Sequence, residues 1–219
     1  MMIPPAPNPL LPALTAALTL GQVTSNDDPD SRGRVKVKLS AVEVEVWASV
    51  ATASAGNGFG VQMLPRVNEI VVVAFITPEL PVVLGSLWVG SSPMPSDATP
   101  VDSRYVITTP QGTVMLFDDQ NGPKLTVTTP QGNKLVLSDE SGGQALMDVG
   151  GTTVKLTSSK VEIQASSQVE VQAGQVKISA GQVSVDAALA NFSGVVRCQT
   201  LQATAVIGTT YTPGAGNIW

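Results

Sequence analysis

The residues able to do chemistry are few. The 219-residue chain has no histidine and a single cysteine, Cys198. Without imidazole there is no Ser-His-Asp or Cys-His nucleophile, and no His-ligated zinc, haem or non-haem iron. A lone cysteine closes no disulfide within its chain and builds no multi-cysteine metal site. It reads as a small buried hydrophobe. Carboxylates remain. Asp27, Asp28 and Asp30 crowd a stretch that calcium could use, but the later bidentate glutamate of a calcium loop is missing, and Pro29 and Gly33 mark a plain turn. Glu43 and Glu45 resemble a paired-carboxylate site. Two residues apart on a strand, they share one face, as residues on a solvated face do. Asp118-Asp119 and Asp139-Glu140 recur at matching places and read as turn formers. Trp47, set among glutamates, is a poor stacking platform for nucleic acid. These residues predict a non-enzyme with no catalytic, metal or cofactor site.

Charge narrows the partners. Twelve Lys and Arg face seventeen Asp and Glu, for a net charge of −5, and no basic run appears. A nucleic-acid binder needs a cationic footprint to release counterions, so no nucleic-acid partner is expected. A static anionic membrane surface is disfavoured for the same reason. Charged residues make up only 13% of the chain, about half the usual share. Ser, Thr, Gln and Gly must supply the neutral surface, which suits a β-rich, repetitive, assembled protein.

The elements that position these residues follow from periodicity. Ile3 to Leu20 is apolar but broken by Pro4, Pro5, Pro7, Pro9 and Pro12, and no positive charge precedes it. It predicts neither a membrane span nor a signal peptide. Residues 1–18 are read as an irregular arm with a short helix at Ala13 to Leu18, of the kind that docks on a partner.

Residues 19–90 form a first block. Thr19 to Thr24 reads as a strand, followed by a turn cluster ending at Gly33. Arg34 to Leu39 alternates strictly, Val35, Val37 and Leu39 against Lys36 and Lys38. A further strand is expected from Val42 to Trp47. After the glycine-rich loop Gly56 to Gly60, Glu69 to Ile76 is almost continuously β-branched and predicts a central strand covered on both faces. Pro81 to Trp88 closes the block. About five strands with turns between them suit a small closed barrel.

Residues 91–104 have the composition of a linker. Residues 105–206 are repetitive. Thr108-Thr109-Pro110-Gln111-Gly112 recurs identically as Thr128-Thr129-Pro130-Gln131-Gly132. The same offset aligns Leu116 with Val136, Phe117 with Leu137 and Asp119 with Asp139. This is a repeated unit of strand, acidic turn and strand. Further on, Val161-x-Ile163-x-Ala165, Val169-x-Val171-x-Ala173, Val176-x-Ile178-x-Ala180 and Val183-x-Val185-x-Ala187 follow at steps of eight, seven and seven residues. Apolar, β-branched residues at i and i+2 predict short strands rather than a coiled coil. Such strands cannot each bury a face alone, so they stack as a β-helix or prism. A single-chain solenoid and three chains wound together both satisfy the pattern. Val161, Ile163, Val169, Val171, Val176, Ile178, Val183 and Val185 are its expected core. The pattern fades after Val206, and residues 207–219, ending in Ile218 and Trp219, form a tip segment.

Several of these residues carry a resemblance. Gly21-Gln22-Val23-Thr24, Asp28-Pro29-Asp30, Gly33-Arg34-Val35-Lys36-Val37, Trp47-Ala48-Ser49-Val50, Ala55-Gly56-Asn57-Gly58-Phe59-Gly60, Leu64-Pro65, Glu69 to Phe75 and Pro81 to Leu87 stand in the order and spacing of the oligonucleotide/oligosaccharide-binding (OB) domain of the phage baseplate assembly protein V and VgrG spike family. The repetitive block resembles that family's triple-stranded β-helix. The resemblance implies an all-β chain, an OB-fold barrel followed by a C-terminal β-helix intertwined as a homotrimer. It implies the central spike of a contractile injection machine, a virion protein of the tail baseplate assembled in the host cytoplasm. Its OB domain would dock under a hub protein, and its needle would pierce the target cell envelope.

The chain also departs from the family. The large hub domains of VgrG proteins and the lysozyme domain inserted in some phage spikes do not fit in this length, which implies a stand-alone phage-type spike. Some short members end in a His-x-His iron site, which a chain without histidine cannot carry. Ile218 and Trp219 would then plug the needle end, or the end would be a platform for a PAAR-like tip protein. A carbohydrate-binding or adhesive β-solenoid is the alternative from another class. A polysaccharide lyase or hydrolase on a β-helix is a weaker one, because the repeats supply few clustered acids, bases or aromatics.

Overall fold

The computed structural model describes residues 18–90 and 93–210. The arm up to residue 17, Ser91, Ser92 and the tip residues Ile218 and Trp219 lie outside the described residues. Among the described residues, all regular elements beyond two single-turn 3₁₀ segments are strands.

The barrel is built from β1 (Leu18–Ser25), β2 (Arg34–Leu39), β3 (Glu45–Val50), β6 (Ile70–Thr77) and β7 (Leu80–Leu87), closed in the order β1-β2-β3-β7-β6. Between β3 and β6, β4 (Ala55–Gly56) and β5 (Phe59–Gly60) form a small separate hairpin. Alternation does what it predicts. Val23, Val35, Val37, Leu39, Ala48, Val71, Val73, Phe75 and Val83 point inward and are buried together. Closure comes from the one parallel pairing, Ser49 opposite Val82. Gly21 sits where β1 crosses β2 so closely that a Cβ would run into Val37 and the Lys38 carbonyl.

Two expectations are corrected here. The third strand begins at Glu45, not Val42. Residues 40–44 are the β2–β3 turn, with Glu43 at φ 55° and its N–H donating to the Leu39 carbonyl (2.9 Å). The alternating valines imitate a strand there, but only Val42 and Val46 pack on the core. Strand β6 is fully buried on one face only. Val71, Val73 and Phe75 face the core, whereas Ile70, Val72 and Ala74 are half-buried and Ile76 is exposed. A barrel covers only the inside of its wall.

Beyond the linker, β8 (Arg104–Thr108), β9 (Val114–Asp118), β10 (Lys124–Thr128), β11 (Lys134–Ser138), β12 (Gln144–Val149), β13 (Thr152–Thr157) and β14 (Val161–Gln164) form one seven-stranded sheet in strict chain order. Each strand pairs antiparallel with the next. This stretch is therefore a meander rather than a set of β-helix rungs. The repeat explains why. In each Thr-Thr-Pro-Gln-Gly copy the chain reverses within the motif. Gly112 donates to the Thr109 carbonyl (2.8 Å) and Gly132 to that of Thr129 (2.9 Å), both glycines at positive φ. The acidic turns repeat as well. Asp118 Oδ1 accepts from the Gln120 N–H (3.0 Å), and Ser138 Oγ accepts from the Glu140 N–H (3.0 Å). Asp118 and Ser138, twenty positions apart, are the two buried polar residues of the described chain. Tight reversals put consecutive strands side by side, which a helical rung does not do.

Among the described residues no strand follows Gln164. Glu170–Trp219 is a separate unit from Met1–Val169. Its described side chains, residues 170–210 with Cys198 included, are exposed. The expectation of a buried cysteine does not hold within the single chain, since Cys198 is exposed.

Candidate assembly surfaces

The carboxylates are engaged in structure. Asp28, nearly enclosed, takes Arg34 Nε (3.1 Å) and Arg34 Nη2 (2.8 Å), and accepts from the backbone N–H groups of Asp30, Arg32 and Arg34. The Arg34 guanidinium beside it, assisted by those N–H donors, holds the Asp28 carboxyl well below the usual carboxylate range. Arg34 also lies over the Trp47 ring, 5.5 Å from its centroid, so Trp47 is occupied by the chain's own cation. Glu43 and Glu45 face Lys38 (3.2 Å) and Lys36 (2.6 Å) of β2. A paired-carboxylate site does not assemble, since each acid has its own lysine.

A depressed carboxylate pKa stabilises the fold above the ordinary carboxylate range, and that stability is lost as pH falls through the lowered value. Asp28→Asn is therefore expected to lower the thermal unfolding temperature of the barrel at neutral pH. It should also flatten the loss of stability between about pH 4 and pH 2. Thermal melts across that range check this, and an unchanged acid limb would assign the loss to another group.

The barrel has two unlike outer walls. On β2 and β3 the outward positions are Arg34, Lys36 and Lys38 opposite Ser49, Trp47 and Glu45. On β1, β6 and β7, Leu18 stands opposite Ala74, Leu20 opposite Val72, Gln22 opposite Ile70, and Ile70 opposite Leu87. None of these last positions is charged, and Leu18, Leu20 and Leu87 are exposed.

The larger surface is on the meander. Directly opposed residues of an antiparallel sheet share a face. One row runs Tyr105, Phe117, Leu125, Leu137, Ala145, Leu156 and Val161 across all seven strands. The neighbouring row runs Ile107, Met115, Val127, Leu135, Met147, Val154 and Ile163. Every member of both rows is apolar. The other face carries the ion pairs Arg104–Asp118 (2.9 Å) and Lys124–Glu140 (2.8 Å). Backbone donation from Gln120, then Arg104, holds the Asp118 carboxyl below its ordinary range. In the single chain the apolar face is open, with Tyr105 74% and Leu137 59% exposed. Soluble monomers seldom leave so continuous an apolar face in water.

Of the expected shaft core, Val161 and Ile163 continue the two rows on β14. Val169, Val171, Val176, Ile178, Val183 and Val185 lie past the last strand, exposed in the single chain, Val171 and Ile178 at 72% each. The sequence reading omitted the earlier row members, Tyr105 to Leu156. Their signal was the same period-2 alternation, as in Tyr105-x-Ile107, Met115-x-Phe117 and Leu135-x-Leu137.

No individual curated protein matches the chain at a significant level. Two family matches cover well over half of it. Residues 19–88 match the Type VI secretion system/phage-baseplate injector OB domain. Residues 124–189 match the phage baseplate V C-terminal trimerisation domain. The first is the closed barrel, and the second runs from β10 through the repeats. The chain belongs to the phage baseplate assembly protein V/VgrG-like family, which consists of structural baseplate proteins.

Proposed function

We propose that the protein is the central spike of a contractile injection machine, a homotrimer in the tail baseplate of a virion. One observation carries this reading. A sheet with two apolar rows along one face, open in the single chain, overlaps in β10–β14 the stretch matched to a trimerisation domain. Three such faces turned toward a common axis would bury one another. The exposed valines and isoleucines downstream would wind with those of the other two copies into an intertwined β-helix.

The uncharged barrel wall of Leu20, Val72, Ile70 and Leu87 is the surface this reading gives to the baseplate hub. The wound repeats form the needle that meets and pierces the target cell envelope. The C-terminal end, with Ile218 and Trp219, is closed by the tails themselves or by a PAAR-like tip protein. The spike role is structural rather than enzymatic. In support, the cleft of about 690 Å³ beside the β4–β5 hairpin has Arg32 as its only charged lining residue.

Light scattering of the purified full chain should give three times the chain mass. Strands stack about 4.8 Å apart, so the seven-stranded sheet spans roughly 29 Å. Repeats wound three to a layer, at roughly 23 residues per turn, add about 26 Å by residue 206. Small-angle scattering should therefore find a shaft on the order of 60 Å. A monomeric mass by light scattering would defeat the trimer reading.

A further inference from the structure

The repeats contain an ambiguity that the meander does not. Ala173-Gly174-Gln175-Val176 and Ala180-Gly181-Gln182-Val183 are the same four residues seven positions apart. Sliding one chain by one unit sets valine on valine or isoleucine and alanine on alanine. The apolar side chains from Val169 to Ala187 then differ by no more than a methylene group, and the mismatches fall on the alternating polar positions, such as Glu170 on Lys177. A strand set whose pattern repeats specifies its register weakly. Chains meeting first along this segment would find several registers of similar energy and become trapped in them.

The meander is specified differently. Its register is set inside each chain by backbone ladders and tight turns, before any partner arrives. Its apolar face also has an uneven profile. Tyr105 and Phe117 stand at one end of a row, and Ala145 interrupts its far half. Moving one such face past another by a strand sets Phe117 where Leu125 belongs and Leu137 where Ala145 belongs, which overpacks those places and hollows others. The unlike profile therefore accepts one alignment where the repeats accept several.

We propose that the apolar face of β8–β14 is the register-setting surface of the assembly, and that its partner is the same face on two further copies of this chain. Preformed sheets dock first, in their one alignment. The segment after Gln164, which has no ladder among the described residues of its own chain, then winds from that fixed start toward the C-terminus. The match to a trimerisation domain, which covers β10–β14 of the meander and the repeats as far as residue 189, supports assigning both to one association. This inference rests on the homotrimer reading above.

The test uses the full chain with Cys198→Ser and a spin label on Gln182→Cys. Pulsed electron resonance reads the label-to-label distances in trimers isolated by light scattering. In-register trimers hold the labels in an equilateral triangle and give a single narrow distance. Two changes are then made separately. Tyr105→Leu with Phe117→Leu keeps the face apolar but flattens its profile, and should turn the one distance into two or more. Deleting Gln175 to Gly181 removes one whole repeat and should keep a single narrow distance. Should the flattened face stop trimers from forming, the tails cannot associate without docked sheets, which also supports the order. A narrow distance in the flattened variant, or a broadened one after the deletion, would overturn the proposal by showing that the repeats set their own register. A parent protein that is monomeric by light scattering defeats the trimer reading itself, a separate outcome.

Discussion

Leu137→Asp is expected to leave the protein without trimers. Leu137 sits near the middle of an apolar row, between Leu125 and Ala145, and is exposed in the single chain. In the assembly it would face the other copies. An aspartate there puts an unpaired carboxylate into each of three apolar contacts, at several kcal/mol per chain by rough estimate. Association carries that penalty once per copy, so its equilibrium falls by many powers of ten. The monomer itself should fold normally, because Leu137 makes no contribution to the barrel core and its strand keeps its backbone ladder. Light scattering should read single-chain mass, and circular dichroism should show strand content retained. Trimers of normal mass would mean that this face is turned to solvent in the assembly.

The second large effect is expected from Val171→Asp, and it should differ in kind. Val171 lies in the separate unit that begins at Glu170, beyond the last strand. A carboxylate there would break the winding of the repeats but not the docking of the sheets upstream. The variant should remain trimeric, while its chain beyond about residue 165 becomes open to protease and the barrel and meander stay resistant. Limited proteolysis with mass spectrometry of the fragments reads this directly. If the variant's tail is as resistant as the parent's, Val171 is not an inward position of the shaft.

The contrast between the two variants follows how the chain is organised, and much of that organisation is readable without coordinates. Strict alternation in Arg34 to Leu39 gives the strand and its buried face, because a strand buries every second side chain. The recurrence of Thr-Thr-Pro-Gln-Gly gives a repeated unit, because identical residues make the identical turn. Asp28 reads as a turn residue for a local reason, since its hydrogen-bond partners lie within six positions. Such features need only neighbours along the chain. The sequence is less decisive where two local readings fit the same letters. Val42-x-Val44-x-Val46 alternates as a strand does, yet the hairpin geometry assigns its first half to a turn.

What the tertiary structure alone decided is which surfaces meet. Period-2 alternation says that Phe117 and Leu137 share a character, but not that both lie opposite Leu125. The antiparallel ladder put them in one row, and so changed the expected helical rungs into a meander with one open apolar face. The parallel closure of β3 on β7 likewise joins residues more than thirty positions apart, which no local pattern announces. For Val171 and Ile178 neither level is sufficient. Their spacing defines an apolar face, but the described residues of their own chain offer that face no ladder and no cover. A β-strand gains its hydrogen bonds from a neighbouring strand, so where the neighbour belongs to another chain the letters can state the need for it but not its position.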